Sequence, residues 1–142
     1  MTPLFYDTWT YLAVADRQDP YHKLAQELAE RADVLKYGKV TTTYILDESL
    51  TIIRSRAGYE RAVEFGEGLW KMEQEGILEL VTVNDNHVKK AWERFKRYRD
   101  IKKLSFTDCT SFVIMQERGI KYVFTGDAHF EQVNLGFQIF KG

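Results

Sequence analysis

Leu4-Phe5-Tyr6-Asp7-Thr8-Trp9-Thr10-Tyr11-Leu12-Ala13-Val14-Ala15 changes character at Asp7. The apolar residues before the acid read as a buried strand, and Thr8 to Ala15 reads as a helix that begins at once. A strand that passes directly into a helix through a carboxylate opens an α/β unit. It also leaves an acid where buried charge is rare unless it has a partner.

Working outward, the alternation repeats. Val40–Thr42, Leu78–Val83, Tyr122–Thr125 and Phe137–Phe140 read as further short strands. Between them, Asp19-Pro20 signals a helix start with Pro near the first helical position. Leu24, Ala25, Leu28, Ala29 and Ala32 then follow at helical spacing. Helical periodicity returns from Thr43 to about Arg54 and from Tyr59 to Glu75. Asn84 is placed to cap a helix whose stripe is Val88, Ala91, Trp92, Phe95 and Tyr98. Thr107 is placed to cap the next, with Phe112, Ile114 and Met115 facing the core and Gly119 just past its end. The expected fold class is α/β: one domain over residues 1–142, with a mainly parallel central sheet of about five short strands flanked by helices on both faces.

The composition, 44% hydrophobic and 29% charged, is that of an ordinary soluble protein. The longest purely apolar run is Tyr11 to Ala15, far short of the roughly 20 residues that span a bilayer. No membrane association is expected, and no secretory leader is read at the N-terminus, so the expected location is cytoplasmic. One cysteine, Cys109, excludes an intrachain disulfide and a Cys-rich zinc site. Net charge is −1. Yet Lys89, Lys90, Arg94, Lys96, Arg97, Arg99, Lys102 and Lys103 crowd one segment against only Glu93 and Asp100. Such a segment is either a solvated helix face or a patch for a phosphate polymer.

Four acids stand out among 21. Asp7 and Asp127 follow strands directly, so both belong at the carboxyl edge of the sheet, where open α/β folds bind ligands. Asp108 lies in a helical first turn, which favours an anion. Glu48 shares a helical stripe with Ile45 and Ile52 and flanks the buried face of Leu46, Ser49, Leu50 and Ile53, whereas Asp47 lies toward solvent. Gathered carboxylates repel. A hard divalent cation such as Mg²⁺ or Mn²⁺ reverses that penalty, because it prefers oxygen ligands.

Four segments carry a family resemblance over nearly the whole chain. They are Leu4-Phe5-Tyr6-Asp7-Thr8-Trp9, Thr43-Tyr44-Ile45-Leu46-Asp47-Glu48-Ser49-Leu50, Leu104-Ser105-Phe106-Thr107-Asp108-Cys109-Thr110-Ser111-Phe112 and Phe124-Thr125-Gly126-Asp127-Ala128-His129-Phe130. Together they resemble the PIN domain family, in particular the VapC-like, toxin-type ribonucleases of bacterial and archaeal toxin–antitoxin pairs. The resemblance implies a PIN-like α/β/α fold and metal-dependent cleavage of RNA that leaves a 5′-phosphate. It also implies a homodimer and a small antitoxin protein as partner. Many family members carry two acids in the last loop. Here Asp127 has Thr125 as a hydroxyl neighbour, and Glu131 is expected to turn away.

On this reading Asp7, Asp108 and Asp127 bind one or two Mg²⁺ or Mn²⁺ ions, and Glu48 either ligates or orients the attacking water. Thr8, Thr107 and Thr125 support the acids. Arg94, Arg97, Arg99, Lys102 and Lys103 are the candidates for holding RNA. His22, His87 and His129 show no metal-ligand spacing and read as surface or capping residues. Cys109 reads as a buried thiol. Trp9, Trp70 and Trp92 read as core or interface residues. A phosphatase with Asp7 as nucleophile would need a second acid two residues on, where Trp9 stands. A binding module that kept the fold without activity would show no metal binding.

Overall fold

The structure is a computed structural model describing residues 1–142. Its chain order is β1 (Pro3–Tyr6), α1 (Thr8–Ala15), α2 (His22–Val34), β2 (Gly38–Thr42), α3 (Thr43–Ala57), α4 (Tyr59–Gln74), β3 (Leu78–Val81), α5 (Asp85–Arg97), α6 (Phe106–Glu117), β4 (Tyr122–Phe124), α7 (His129–Gln132) and β5 (Gln138–Ile139). The five strands form one parallel sheet in the order β3-β2-β1-β4-β5. Phe5 sits between Val40 and Val123 in register.

That order decides where a ligand can bind. The chain moves outward from β1 through β2 to β3, then returns to the other side of β1 for β4 and β5. Right-handed crossovers therefore put α1–α4 on one face and α5–α7 on the other. The packing agrees: α1, α3 and α4 lie together, and α5 lies on α6. The reversal between β1 and β4 is the topological switch point, where the carboxyl ends of adjacent strands splay open. Asp7 follows one of those strands and Thr125-Gly126-Asp127 follows the other.

The strands are short and apolar because helices cover both faces. Leu4, Phe5, Val123 and Phe124 are fully buried, and Phe112, Ile114, Met115 and Phe130 complete the core. On α3 Leu46, Ser49 and Ile53 are buried as the periodicity predicts, whereas Leu50 is only half-buried and Ile45, placed on the flanking stripe, is fully buried.

Several helix boundaries differ from the sequence reading. α2 begins at His22, two residues after Pro20, because the Asp19 carboxylate accepts the Tyr21 N–H at 2.8 Å and holds a turn there. Ser105, not Thr107, caps α6: its hydroxyl accepts the Asp108 N–H at 2.9 Å while Asp108 accepts the Ser105 N–H at 3.1 Å. This reciprocal capping box satisfies two donors that the helix leaves free. Thr107 becomes the second helical residue, and its carbonyl accepts the Thr110 and Ser111 hydroxyls. The α5 stripe is only partly covered, since Ala91 is buried but Trp92 and Phe95 are exposed. Trp70 is likewise exposed and contributes no core.

Candidate active site

Asp7 follows β1 and occupies the N-cap position of α1, yet its side chain makes no cap hydrogen bond there. Instead Asp7 accepts the Thr125 hydroxyl at 2.8 Å. Thr125 in turn accepts the Asp127 N–H at 3.0 Å. One hydroxyl thus ties the loop after β4 to the acid after β1. Tyr6 pairs with Phe124 in register, which brings the two strand ends level.

Gly126 allows this loop to close down. A Cβ there would lie 2.2 Å from Cε2 and Cζ2 of Trp9, so no larger residue fits while the indole stays in place.

Asp108 enters from the first turn of α6. Its Oδ2 meets His129 Nδ1 at 2.9 Å, and the same ring nitrogen lies 3.1 Å from Asp127 Oδ1. His129 Nε2 lies 3.1 Å from the Lys102 carbonyl, which can only accept. Asp127 also receives the His129 N–H at 2.9 Å. Ligand atoms of Asp108, Asp127 and His129 all fall within 4.8 Å of one another, close enough to hold a single cation.

His129 is the residue the sequence reading misplaced. It is neither a surface nor a simple capping group, but a bridge inside the acidic cluster. Its spacing to any other histidine carried no signal; its position two residues after Asp127 on the same loop did.

The electrostatics match a site built for positive charge. Asp7 and Asp108 are buried. Burial, and then the neighbouring Asp108 charge, push Asp7 well above the ordinary carboxylate range, with a smaller push from Asp127. The Thr125 hydroxyl and the Thr8 backbone oppose this. Burial also raises Asp108, against the pull of the Ser105 N–H and His129. These shifts express repulsion among carboxylates withdrawn from water. Thr8 adds a buried hydroxyl with no hydrogen-bond partner beside Asp7. Oxygen donors, carboxylates that the fold alone relieves only in part, and an orphaned hydroxyl together fit a hard divalent cation.

Glu48 stands apart from this group. It is half-buried on α3 while Asp47 is exposed, as the helix phase predicts. It makes no hydrogen bond or ion pair, and it is not among the charges that act on Asp7. The structure thus brings together Asp7, Asp108 and Asp127 and leaves Glu48 on the neighbouring helix. Glu131 points to solvent on α7, as expected.

The basic segment divides. Lys90 pairs with Glu117 at 2.5 Å and Lys96 with Glu93 at 3.1 Å. Arg94 is half-buried, with one buried guanidinium nitrogen unpaired. Arg97, Arg99, Lys102 and Lys103 are exposed without ion pairs. Lys102 also lines a polar cleft of about 420 Å³ with Asp100, Asp127, His129 and Gln132. Cys109 is buried beside Asp108, and burial followed by that charge pushes its thiol up to about 12. It is no nucleophile at neutral pH.

This arrangement of acids at the switch point of a 3-2-1-4-5 parallel sheet defines a class. The PIN domain family profile matches residues 4–135, and the chain belongs to that family. Nucleases of this family generally use a divalent metal ion, and this chain carries a matching acidic cluster. Among curated relatives, the 23S rRNA-specific endonuclease VapC20 of Mycobacterium tuberculosis is 29% identical over 127 residues, which cover 87% of this chain and 90% of that protein. A VapC ribonuclease of Archaeoglobus fulgidus is 28% identical over 138 residues, covering 95% and 83%. Two solved structures share the fold. The crystal structure of M. tuberculosis VapC20, a sarcin–ricin loop cleaving toxin, superposes with a TM-score of 0.79 at 24% identity, covering 92% of this chain and 95% of that one. A chain of the DNA-bound VapBC from Salmonella typhimurium gives 0.67 at 16% identity, covering 98% and 97%. No helix is long and apolar enough to cross a membrane.

Proposed function

We propose that this protein is a Mg²⁺- or Mn²⁺-dependent ribonuclease that hydrolyses RNA phosphodiester bonds, acting as the toxin of a toxin–antitoxin pair. The observation that carries the reading is the convergence of Asp7, Asp108 and Asp127 at the switch point, with two of the three buried. Burial and mutual repulsion raise both buried acids despite their hydrogen bonds, and a bound cation would offset that cost. The curated relatives' names, an rRNA-specific endonuclease and a ribonuclease, support RNA as the substrate.

Asp7, Asp108 and Asp127 would hold the metal. The bound ion supplies Lewis acidity toward the phosphate and makes water a better nucleophile at neutral pH. The Thr125 hydroxyl fixes the Asp7 carboxylate, and the capping box fixes Asp108. The buried, unpartnered Thr8 hydroxyl would help to position the Asp7 carboxylate. Glu48, on the neighbouring helix α3, would ligate the metal or orient the water. Thr107 acts only through the α6 backbone. Lys102, which lines the polar cleft, would hold the RNA backbone together with Lys103, Arg97 and Arg99. Arg94 is the weakest of the basic candidates, because it is turned partly inward. By family resemblance the protein forms a homodimer and is blocked by a small antitoxin.

The test is cleavage of RNA by purified protein with Mg²⁺ or Mn²⁺, measured beside direct metal binding. EDTA should stop cleavage. Equal cleavage in EDTA, or a folded protein that binds no metal, would sink the reading. Replacing Lys102 and Lys103 with Gln should weaken RNA binding and lower its salt slope by about one for each phosphate no longer neutralised.

A further inference from the structure

The loop Thr125–Ala128 has a cleft on either side. One is the polar cleft around Lys102. The other, of about 360 Å³, is lined by Trp9, Tyr21, Leu24, Thr125, Gly126 and Lys141 among others. Its volume is at the low end of the roughly 300–1,000 Å³ of small-molecule sites. None of the three acids lines it, but its wall includes Thr125, whose hydroxyl donates to Asp7, and Gly126, which precedes Asp127. We propose that this second cleft is a nucleobase subsite, in which an unstacked base next to the cleaved phosphate packs against Trp9 and Tyr21. The proposal rests on the ribonuclease reading and names how that site would hold its substrate.

Several observations point to a flat aromatic ligand. Tyr21 and Leu24 are 52% and 48% exposed at the cleft, more apolar surface than folding requires. The Trp9 and Tyr21 rings lie 5.4 Å apart, tilted by 47° rather than stacked face to face, and both line the cleft. The Trp9 ring is not left to drift. Gly126 seats the Trp9 indole, and the Asp19 turn fixes the Tyr21 backbone. A rigid aromatic surface loses little freedom when a ligand binds. Single-stranded RNA is characteristically held by stacking its splayed bases on aromatic side chains. Lys141 supplies a cation for an adjoining phosphate. The polar cleft across the loop is lined by no Phe, Tyr or Trp, and its imidazole, His129, is held by Asp108 and the Lys102 carbonyl, so this cleft suits the backbone instead. The base would therefore lie on the Trp9 side and the chain would continue past Lys102.

The test uses the full chain with Asp7→Asn to prevent cleavage, and with Trp70→Phe and Trp92→Phe so that Trp9 alone emits. The probes are fluorescein-labelled hexamers of uridylate, of adenylate and of abasic ribose phosphate, in Mg²⁺. Both base-bearing hexamers should quench Trp9 saturably. Tyr21→Ala should weaken them by about tenfold. The abasic hexamer should bind at that weakened level in either protein, without quenching. Tyr21 is exposed, so its loss should leave the fold intact, and Tyr21→Phe should restore binding. Anisotropy that reports bound RNA with no change at Trp9, or equal affinities with and without Tyr21, overturns the subsite while leaving the ribonuclease reading intact. Failure of every hexamer to bind overturns it as well. Cleavage assays on the wild type then decide whether the ribonuclease reading falls too.

Discussion

Helices α3 and α6 begin alike and use their beginnings differently. Each is capped by a hydroxyl that accepts the N–H of the third helical residue: Thr42 from Ile45 at 3.1 Å, and Ser105 from Asp108 at 2.9 Å. In α3 that third residue is Ile45, fully buried in the core. In α6 it is Asp108, buried in the acidic cluster. The α3 acid, Glu48, comes three residues later, about 4.5 Å further down the helix axis. A second-turn position needs the longer glutamate side chain to reach back toward the edge. The same cap therefore fixes one acid rigidly and leaves the other half-buried and unpartnered. Asp108 is held before any metal arrives, whereas Glu48 is free to adjust.

The largest expected effect separates these two acids by cleavage rate. Asp108→Asn should cost more than about a hundredfold, because groups that merely orient metal ligands already cost 10–100-fold. Glu48→Gln should fall within that lower range, and Asp47→Asn should change little because Asp47 faces solvent. Equal losses for Asp108 and Glu48 would erase the contrast and put Glu48 in direct contact with the metal. A larger loss for Asp47 than for Glu48 would show that the α3 phase is misread.

Next in size is a pH effect on stability, read on Asp7, which has no capping duty to confuse the outcome. Its folded pKa is raised to about 8. An unfolded Asp titrates near 3.9. A carboxyl raised in the fold contributes stability that is fully present below the unfolded value and is lost as pH climbs through the folded one. In EDTA the wild type should therefore lose stability between about pH 4 and 8. Asp7→Asn should gain on it across the same range, by an amount on the order of a few kcal/mol. Asp108 shifts in the same direction and keeps part of the slope in the mutant. Saturating Mn²⁺ should reverse the order, since ligand bound to the folded state stabilises it. Melting curves at pH 5 and pH 8, with and without metal, measure this. A difference between the two proteins that does not change with pH would mean that Asp7 is solvated and unstrained.

The contrast also explains what the sequence made legible. Strand ends and helix phase are one-dimensional signals, so β1, the α3 face and the order of Glu48 and Asp47 in burial could all be read. Caps turn on which hydroxyl reaches which N–H. Ser105 and Thr107 both stand before the α6 apolar run, and only the reciprocal bond to Asp108 decides between them. His129 stands beside Asp127 in the sequence, but its other partners do not show there. Its partners Asp108 and Lys102 lie more than twenty residues away, and the fold alone brings them together. Trp9 lies on a helical stripe that reads as core or interface, but the Gly126 loop reaches it from 117 residues further along the chain and leaves it facing a cleft. Solvation of the α5 stripe, with Trp92 and Phe95 exposed, was equally invisible to periodicity.

The smallest effect tests the caps themselves. Ser105→Ala and Thr42→Ala each remove a side-chain acceptor from a helix start, and each should cost about 1 kcal/mol of stability. Thr42 is the more deeply buried, so its change should cost at least as much as the other. Beyond stability the two should part. Thr42→Ala frees the N–H of Ile45, which touches no acid, so metal affinity should stay as in the wild type. Ser105→Ala keeps the backbone N–H that Asp108 accepts but removes the hydroxyl that holds Asp108 from its other side. Asp108 should then be less fixed, and metal affinity should fall several-fold, below the 10–100-fold range for losing an orienting group outright. Ser105→Thr keeps the hydroxyl and should restore it. Calorimetric metal titration beside melting curves gives both quantities from the same samples. If Ser105→Ala and Thr42→Ala lower metal affinity equally, the loss tracks general stability, and the α6 cap does no more for the acidic cluster than the α3 cap does.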